Sequence, residues 1–303
     1  MASYLYFILP ALGGYTLTSL YLLKNPQILH KKKRAAFHCT HISHRGGSGE
    51  RIESTMEAFT HAVEQGTGML ELDCHLTLDG HVVVSHDENL LRQTGHDVTI
   101  SSLNLEVRDQ IQMLLVRFRN QCRYSTGTDR KFTLLEDVFR KFPKMPVNIE
   151  IKEDNETFFL HSLNPPSLPW SSCSLLSRSS ISPLTSPLSA LPLSLRGLQL
   201  LLLYYSGLLP FVPLGESFLQ FYLPRIINRC VCVCVCIYMC HVCFFAYGFQ
   251  SSCVHLFVCN EDPDIEAAFE AGATGVMTDY PTLLTDYLHR HRTYERGIYS
   301  TTV

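Results

Sequence analysis

Three acidic side chains stand in apolar runs of strand length. Glu71 and Asp73 are two residues apart at the end of the run Met69–Asp73, and Glu150 lies in the run Val147–Ile151. Because side chains alternate across a strand, Glu71 and Asp73 point to the same side. Two converging carboxylates that face an interior are costly unless a cation neutralises them. Their hard oxygen atoms favour Mg²⁺ or Ca²⁺ over zinc, with Glu150 as a third ligand.

Two histidines and two basic residues accompany these carboxylates. His44 and His86 each lie at the end of a predicted strand, and histidine titrates near neutrality, so the pair could act as base and acid on a bound phosphate. Arg45 and Lys152 are the cations expected to bind its charge. Singly, a Glu-x-Asp pair or a strand-end histidine usually has an ordinary structural role. Together the five acidic and histidine side chains predict a metal-assisted site for phosphate ester chemistry.

The elements that would position these residues alternate between strand and helix. Runs of strand length lie at 40–44, 69–73, 82–86, 147–151, 254–258 and 275–278. Such alternation favours a parallel sheet or an α/β barrel. In these barrels the carboxyl ends of the strands carry the active site, and the candidate residues fall at or near those ends.

Helix boundaries are also marked. Ser54 and Glu57 form a predicted capping box, with Ser54 as N-cap, and Gly66 is expected to end that helix. Asp262-Pro263 predicts a helix start that stops at Gly272. A short helix is expected after Pro281.

The first 23 residues contain no charged side chain, and Lys24 and the basic run 31–34 follow them. About twenty apolar residues span a bilayer. A cleaved signal peptide would place basic residues before the run, and a buried core helix is the other alternative. The pattern favours a single-pass signal-anchor with the rest of the chain, and its reduced thiols, in the cytosol. The net charge of −3 predicts no nucleic-acid partner.

Two segments do not fit this organisation. Residues 162–196 are rich in Ser, Pro and Leu without helical or strand period, and Cys230–Cys243 holds six cysteines, most of them alternating with valine. Cys-x-Cys spacing lacks the gaps that let two thiolates bind one zinc ion. A strand with all thiols on one face has no evident purpose.

A third explanation comes from the genetic code. A GT dinucleotide repeat encodes alternating Val and Cys, and an AT repeat encodes Ile and Tyr. We therefore hypothesise that residues of about 157–192 and 229–252 are retained intron or a gene-model error. The first segment is expected to remove the fifth strand and its flanking helices, and the second a helix before the seventh strand.

Six short motifs stand out along the chain: His44-Arg45-Gly46, Glu53-Ser54-Thr55, Glu71-Leu72-Asp73, His86-Asp87, Glu150-Ile151-Lys152 and Thr278-Asp279-Tyr280-Pro281. Together they resemble the motifs of the glycerophosphodiester phosphodiesterases. The apolar N-terminus and the run 41–47 resemble most the membrane-bound vertebrate members that act as lysophospholipases D. The family has Asn where this chain has Ser54, and serine is expected to cap a helix about as well.

The resemblance implies a TIM (β/α)8 barrel, disrupted around 157–192 and 229–252 and preceded by a transmembrane helix. It implies a divalent cation on Glu71, Asp73 and Glu150, with His44 and His86 as the acid/base pair. The implied substrate is a lysophospholipid or related glycerophosphodiester, cleaved at a membrane, with the endoplasmic reticulum as the expected location.

The expected organisation is a signal-anchor over 1–24, a basic linker over 25–39, a catalytic domain over 40–292 and a tail over 293–303. The alternative is a catalytically impaired membrane protein that arises from an aberrant transcript or gene model. Leu198–Val212 is expected to lie at the membrane surface or to cover the barrel mouth.

Overall fold

The computed structural model describes residues 2–30, 39–106, 125–152, 174–178, 199, 202–213, 218–222 and 253–300. The cysteine-rich segment 230–243 lies outside these residues. Two compact units are present, the first formed by 1–38, 183–256 and 267–275, and the second by 39–182, 257–266 and 276–303. The second unit holds every candidate site residue.

The described strands and helices alternate along much of the chain. The strands are β1 (His41–Ser43), β2 (Met69–Leu76), β3 (Val82–Val84), β4 (Thr133–Leu134), β5 (Val147–Ile151), β6 (Ser174–Arg178), β7 (Phe218–Tyr222), β8 (Cys253–Phe257) and β9 (Gly275–Thr278). The helices are α1 (Ala2–Lys24), α2 (Met56–Glu64), α3 (Leu91–Thr94), α4 (Leu135–Lys141), α5 (Asp262–Glu270) and α6 (Pro281–Ser300). Short 3₁₀ turns cover Pro26–Ile28, His44–Gly46, Ile100–Ser102 and Leu209–Phe211. The predicted α/β class is confirmed.

The sheet of the second unit is mixed rather than purely parallel. β1 pairs parallel with β2 and β9, β2 pairs parallel with β5, and β5 pairs parallel with β6. β3 runs antiparallel to β2, and β4 antiparallel to β3. The predicted run 82–86 does form a strand, but it is shorter, Val82–Val84, and its antiparallel pairing makes the sheet mixed, whereas the alternation of elements favoured a parallel sheet. The turn at Asp79-Gly80, with Gly80 at φ 86°, folds the chain back as a hairpin on the extended end of β2.

β2 is the centre of this sheet. All eight of its residues are buried, as expected for a strand covered on both faces. Leu70, Leu72 and Cys74 belong to an apolar core that includes Phe59 of α2 and Val138 of α4. Because side chains alternate, Glu71 and Asp73 must point to the opposite face of the sheet.

The predicted capping box of α2 is wrong by one residue. Thr55 is the N-cap, and its Oγ1 accepts a hydrogen bond from the Ala58 N–H at 3.2 Å. Ser54 has φ 62°, in the left-handed region, whereas an N-cap needs extended backbone. The Glu57 carboxylate instead accepts two 2.8 Å hydrogen bonds from the backbone N–H groups of residues 128 and 129.

The C-terminal elements largely follow the sequence pattern. β9 has the predicted bounds, and Gly272 follows α5 with φ 90°. α6 begins at Pro281, a residue favoured at the first helical position. It runs for 20 residues instead of forming a short helix, and it extends into the expected tail.

In the first unit, α1 contacts the segment 202–213. The Tyr15 hydroxyl donates to the Ser206 carbonyl at 2.5 Å, and Ser19 Oγ donates to the Gly207 carbonyl at 2.7 Å. The rings of Tyr15 and Phe211 stack with centroids 6.4 Å apart. Most other side chains of α1 from Tyr6 onward are exposed, unlike those of a buried core helix.

Candidate active site

The three carboxylates predicted to bind a cation lie together. Asp73 of β2 stands directly beside Glu150 of β5, and Glu71 stands beside Asn148. One carboxylate oxygen from each of Glu71, Asp73 and Glu150 lies within 4.8 Å of the others. Glu71 and Asp73 are buried, and Glu150 is partly exposed. The parallel pairing of β2 and β5 therefore builds one cluster from two distant parts of the chain.

The cluster carries more negative charge than a buried site tolerates unaided. Burial, together with the neighbouring Asp73 carboxylate, raises the pKa of Glu71 to about 7. Lys152 Nζ lies 3.0 Å from Asp73 Oδ1 and 2.9 Å from Glu150 Oε1. Although burial opposes its charge, the two carboxylates raise the pKa of Lys152, so it stays protonated. Lys152, which the sequence suggested as a cation for the substrate phosphate, is paired here with two carboxylates of the cluster.

These residues fit a divalent cation. Asp73 Oδ2 is buried and makes no hydrogen bond, and its nearest cation, Arg45 Nε, lies 3.4 Å away, so this hard oxygen atom could bind a metal ion. Three carboxylates also match the oxygen ligands that Mg²⁺ and Ca²⁺ prefer.

A hydrogen bond from its own backbone N–H holds Arg45 next to the carboxylate cluster. Its N–H donates to Glu71 Oε2 at 2.9 Å, and its guanidinium lies 3.4 Å from Asp73 and 3.3 Å from Glu53. Arg45 has φ 50°, uncommon outside glycine, so the surrounding contacts must hold this conformation. A Cβ on the next residue, Gly46, would lie 2.8 Å from the Phe59 ring, which explains why glycine is needed there.

His44 is bound by an aspartate that follows β9. Its Nδ1 lies 2.6 Å from Asp279 Oδ1, and Ser48 and Asn260 also donate to Asp279, at 2.6 Å each. Burial opposes charge on His44, but Asp279 outweighs burial and raises the pKa of the imidazole. Burial would raise the pKa of Asp279, yet His44 and the other donors lower it to about 2. The imidazole is thus fixed with Nε2 as its remaining ring nitrogen.

His86 reaches the same end of β2 through the antiparallel hairpin. The N–H of Ser85 donates to the Asp73 carbonyl at 2.9 Å. His86, the next residue in the chain, therefore follows directly a residue that is hydrogen-bonded to the backbone of Asp73. His86 Nδ1 lies 2.6 Å from Asp87 Oδ1. Each candidate histidine therefore has its Nδ1 next to an aspartate oxygen, 2.6 Å away in both cases.

Several residues of this site were not predicted as such. They are Asp279, Asp87, Glu53, Arg92 and Asn260. Asp87 follows His86 directly, and Asp279 follows the predicted strand 275–278 directly. These positions could have identified both aspartates as site residues. Arg92 and Asn260 stand in no recognisable pattern.

Comparisons with known proteins agree on one family. The protein-family model described as Glycerophosphoryl diester phosphodiesterase family matches residues 44–163. Lysophospholipase D GDPD1 from Homo sapiens is 40% identical over 308 residues, which cover 94% of this chain and 97% of the human protein.

Solved structures show the same fold at low sequence identity. A glycerophosphodiester phosphodiesterase from Thermotoga maritima has a TM-score of 0.57 and 23% identity, covering 82% of this chain and 99% of its own. A phosphodiesterase from Oleispira antarctica, in complex with the product sn-glycerol-3-phosphate, has a TM-score of 0.54 and 18% identity. That match covers 84% of this chain and 98% of the other. The comparisons do not favour the alternative of an impaired protein.

Proposed function

The chain belongs to the glycerophosphoryl diester phosphodiesterase family, and on that premise we propose that it cleaves lysophospholipids and related glycerophosphodiesters. The products are a head-group alcohol and a glycerol phosphate, which keeps its acyl chain when the substrate is a lysophospholipid. The observation that carries the proposal is the carboxylate cluster with Arg45 and Lys152 beside it. The human relative's name supports the substrate class.

The proposed reaction uses the substrate's own glycerol hydroxyl as first nucleophile. One histidine, His44 or His86, takes the hydroxyl proton at Nε2 while the new O–P bond closes a cyclic phosphate. The other gives a proton to the leaving head-group oxygen as its P–O bond breaks. Water then opens the cyclic phosphate. Arg45 and Lys152 bind the phosphate's negative charge.

Glu71, Asp73 and Glu150 would hold the divalent cation. Such an ion, when bound, polarises phosphoryl oxygens and stabilises the charge that develops on them. Because the carboxylates would then be neutralised by the cation, Lys152 and Arg45 become available to the phosphate.

We also propose that the catalytic domain, residues 40–292, folds as a TIM barrel. The parallel pairing of β9, β1, β2, β5 and β6 supports this architecture. The Thermotoga maritima structure, which matches over 82% of this chain, supports it further. In this arrangement β3 and β4 are two antiparallel strands added beside the extended end of β2.

We propose that α1 anchors the protein in a membrane, with the catalytic domain on the cytosolic side at the endoplasmic reticulum. Tyr6–Lys24 is long and apolar enough to cross a bilayer, and little of it is buried. Exposed Phe7 and Leu17 would be covered by lipid. Full-length protein in microsomes should resist carbonate extraction, and external protease should digest its catalytic domain. Release by carbonate would contradict the anchor.

The enzymatic proposal is tested with purified full-length chain and lysophosphatidylcholine or lysophosphatidylethanolamine. We expect release of choline or ethanolamine that EDTA abolishes and that Mg²⁺ or Ca²⁺ restores. Glu71→Gln and His44→Ala should each lower kcat by about 10²-fold or more. Glu136→Gln, which changes an exposed carboxylate of α4, is the matched control and should retain activity. Full activity in both site variants would refute the assignment.

A further inference from the structure

Two carboxylates from separate parts of the site meet on one arginine. The Arg92 guanidinium of α3 forms ion pairs with Glu53 through one terminal nitrogen and with Asp87 through Nε. Glu53 also contacts Arg45, and Asp87 also binds Nδ1 of His86. Arg92 therefore stands between the residue proposed to bind phosphate and one of the proposed acid/base histidines.

Glu53 is not a surface partner for Arg92. It is buried, with 3% of the residue exposed, and Gln93 Nε2 donates to its Oε1 at 2.8 Å. Burial would raise the pKa of Glu53, but Arg45 and Arg92 outweigh burial and lower it, so the carboxylate stays charged. A buried charge of this kind needs its partners, which gives Arg92 a fixed anchor on one side.

The second carboxylate that Arg92 contacts is that of Asp87. Asp87 uses Oδ1 for His86 and Oδ2 for Arg92, so both carboxylate oxygens are occupied. The Ser85 hydroxyl lies 2.9 Å from both the Asp87 carbonyl oxygen and Gln93 Oε1, so its single proton is shared between these two acceptors. α3 thus holds both the side chain and, through Ser85, the backbone of the residue next to His86.

We propose that Arg92 is a positioning residue, which locks Asp87 between a buried Glu53 and the His86 imidazole. The inference rests on the proposed function, because it concerns how His86 acts there. With Arg92 present, Asp87 can present Oδ1 to Nδ1 in one orientation, so Nε2 stays aimed in one direction. Without Arg92, Asp87 can rotate about its side-chain bonds, and the imidazole loses its fixed tautomer and orientation.

Arginine suits this position better than lysine. Its planar guanidinium presents separate N–H groups to two carboxylates at once, whereas a lysine ammonium is a single point charge. Arg92→Lys should therefore retain one of the two links and part of the effect. Arg140 of α4 also pairs with two carboxylates, Glu136 and Asp137, but lies exposed outside the site, so Arg140→Ala is a matched control.

The experiment measures kcat and KM for full-length wild type, Arg92→Ala, Arg92→Lys, His86→Ala and the double variant Arg92→Ala/His86→Ala. We expect Arg92→Ala to lower kcat by about 10- to 100-fold with KM changed less than about twofold. Arg92→Lys should recover several-fold of that loss. In the His86→Ala background, removing Arg92 should change kcat by no more than about twofold, because the residue through which it acts is gone.

The outcomes separate this inference from the proposed function. If His86→Ala keeps full activity, the proposed role of His86 is wrong, and the positioning role falls with it. If His86→Ala is inactivated while Arg92→Ala behaves like Arg140→Ala, only the positioning role is wrong. Independent losses that multiply in the double variant also contradict it. Thermal unfolding midpoints of all variants identify misfolding, and Asp87→Asn, expected to match Arg92→Ala, replaces it if that variant unfolds.

Discussion

Both candidate histidines place Nδ1 next to an aspartate, but the two aspartates come from different parts of the chain. His44 binds Asp279, which lies 235 positions away in the chain, and His86 binds its own neighbour Asp87. In both pairs the carboxylate accepts from Nδ1, which sets the tautomer and leaves Nε2 for chemistry. Asp279 has two further donors in Ser48 and Asn260, whereas Asp87 depends on Arg92. The His86 side is therefore the one more easily disturbed by a single substitution.

Ser54, next to Glu53 of this site, has a backbone conformation that lowers the stability of the folded protein. Its φ of 62° is costly for most side chains but better tolerated by asparagine, and its buried Oγ has no hydrogen-bond partner. We expect Ser54→Asn to stabilise the protein by about 1 kcal/mol, measured as an increase in the free energy of unfolding in urea. Ser54→Ala, which keeps the unfavourable φ, is the control and should not give this increase. A loss of stability in Ser54→Asn would show that the pocket cannot hold the amide.

The residues of the site were predictable only where a local rule applies. Strand alternation placed Glu71 and Asp73 on one face, and the structure bears this out. The same rule cannot tell which strand lies beside β2, so Glu150 was expected as a third ligand from a later strand, but its place beside Asp73 is seen only in the structure. Ser54 failed as a predicted N-cap because a positive φ leaves no signature in a single serine.

At the scale of elements, β2 explains most of the differences from expectation. It is eight residues long, so one edge pairs first with β1 and then with β3, while the other edge pairs with β5. Apolar runs of equal length predicted strands correctly but carried no information on direction. An antiparallel hairpin and a parallel crossover both begin with a turn, and the short loop between β2 and β3 permits only the hairpin.

β1 contains a histidine whose protonation should oppose folding. His41 is buried, with Nε2 lacking a hydrogen-bond partner, and burial lowers its pKa to about 4. The unfolded chain binds this proton near its ordinary pKa of 6.5, whereas the folded protein resists it. The stability contributed by neutral His41 is therefore complete above pH 6.5 and lost as the pH falls towards 4.

We expect this histidine to account for about 3 kcal/mol of the stability lost between pH 7 and pH 4. Urea unfolding of wild type and His41→Gln at both pH values measures the difference. The variant should lose less stability on acidification, even if it is less stable at pH 7. His96→Gln changes an exposed histidine and should behave as wild type does. An identical acid-induced loss in His41→Gln and wild type would contradict the assignment.

At the scale of the whole molecule, the structure describes part of one of the two atypical segments and none of the other. The segment 229–252 lies outside the described residues, whereas 157–192 contains β6. The expectation that 157–192 lacks the strand after β5 is therefore wrong. Ser174–Arg178 pairs parallel with all five residues of β5, from Val147↔Ser174 to Ile151↔Arg178. A parallel ladder is made by the backbone, so a Ser- and Leu-rich sequence without strand period can still form it.

Whether this strand is native or accidental decides how the origin of the segment should be understood. Consecutive N–H groups of a strand point to opposite edges, and among the described strands β6 pairs with β5 alone. One of Leu175→Pro and Leu176→Pro should therefore remove a hydrogen bond to β5 and lower the free energy of unfolding by about 1–3 kcal/mol. The other should have a much smaller effect. Alanine at the same positions retains the N–H and controls for the lost side chain. If the two proline variants behave alike, residues 174–178 are not paired as described, and translation of non-coding sequence becomes the better account of 157–192.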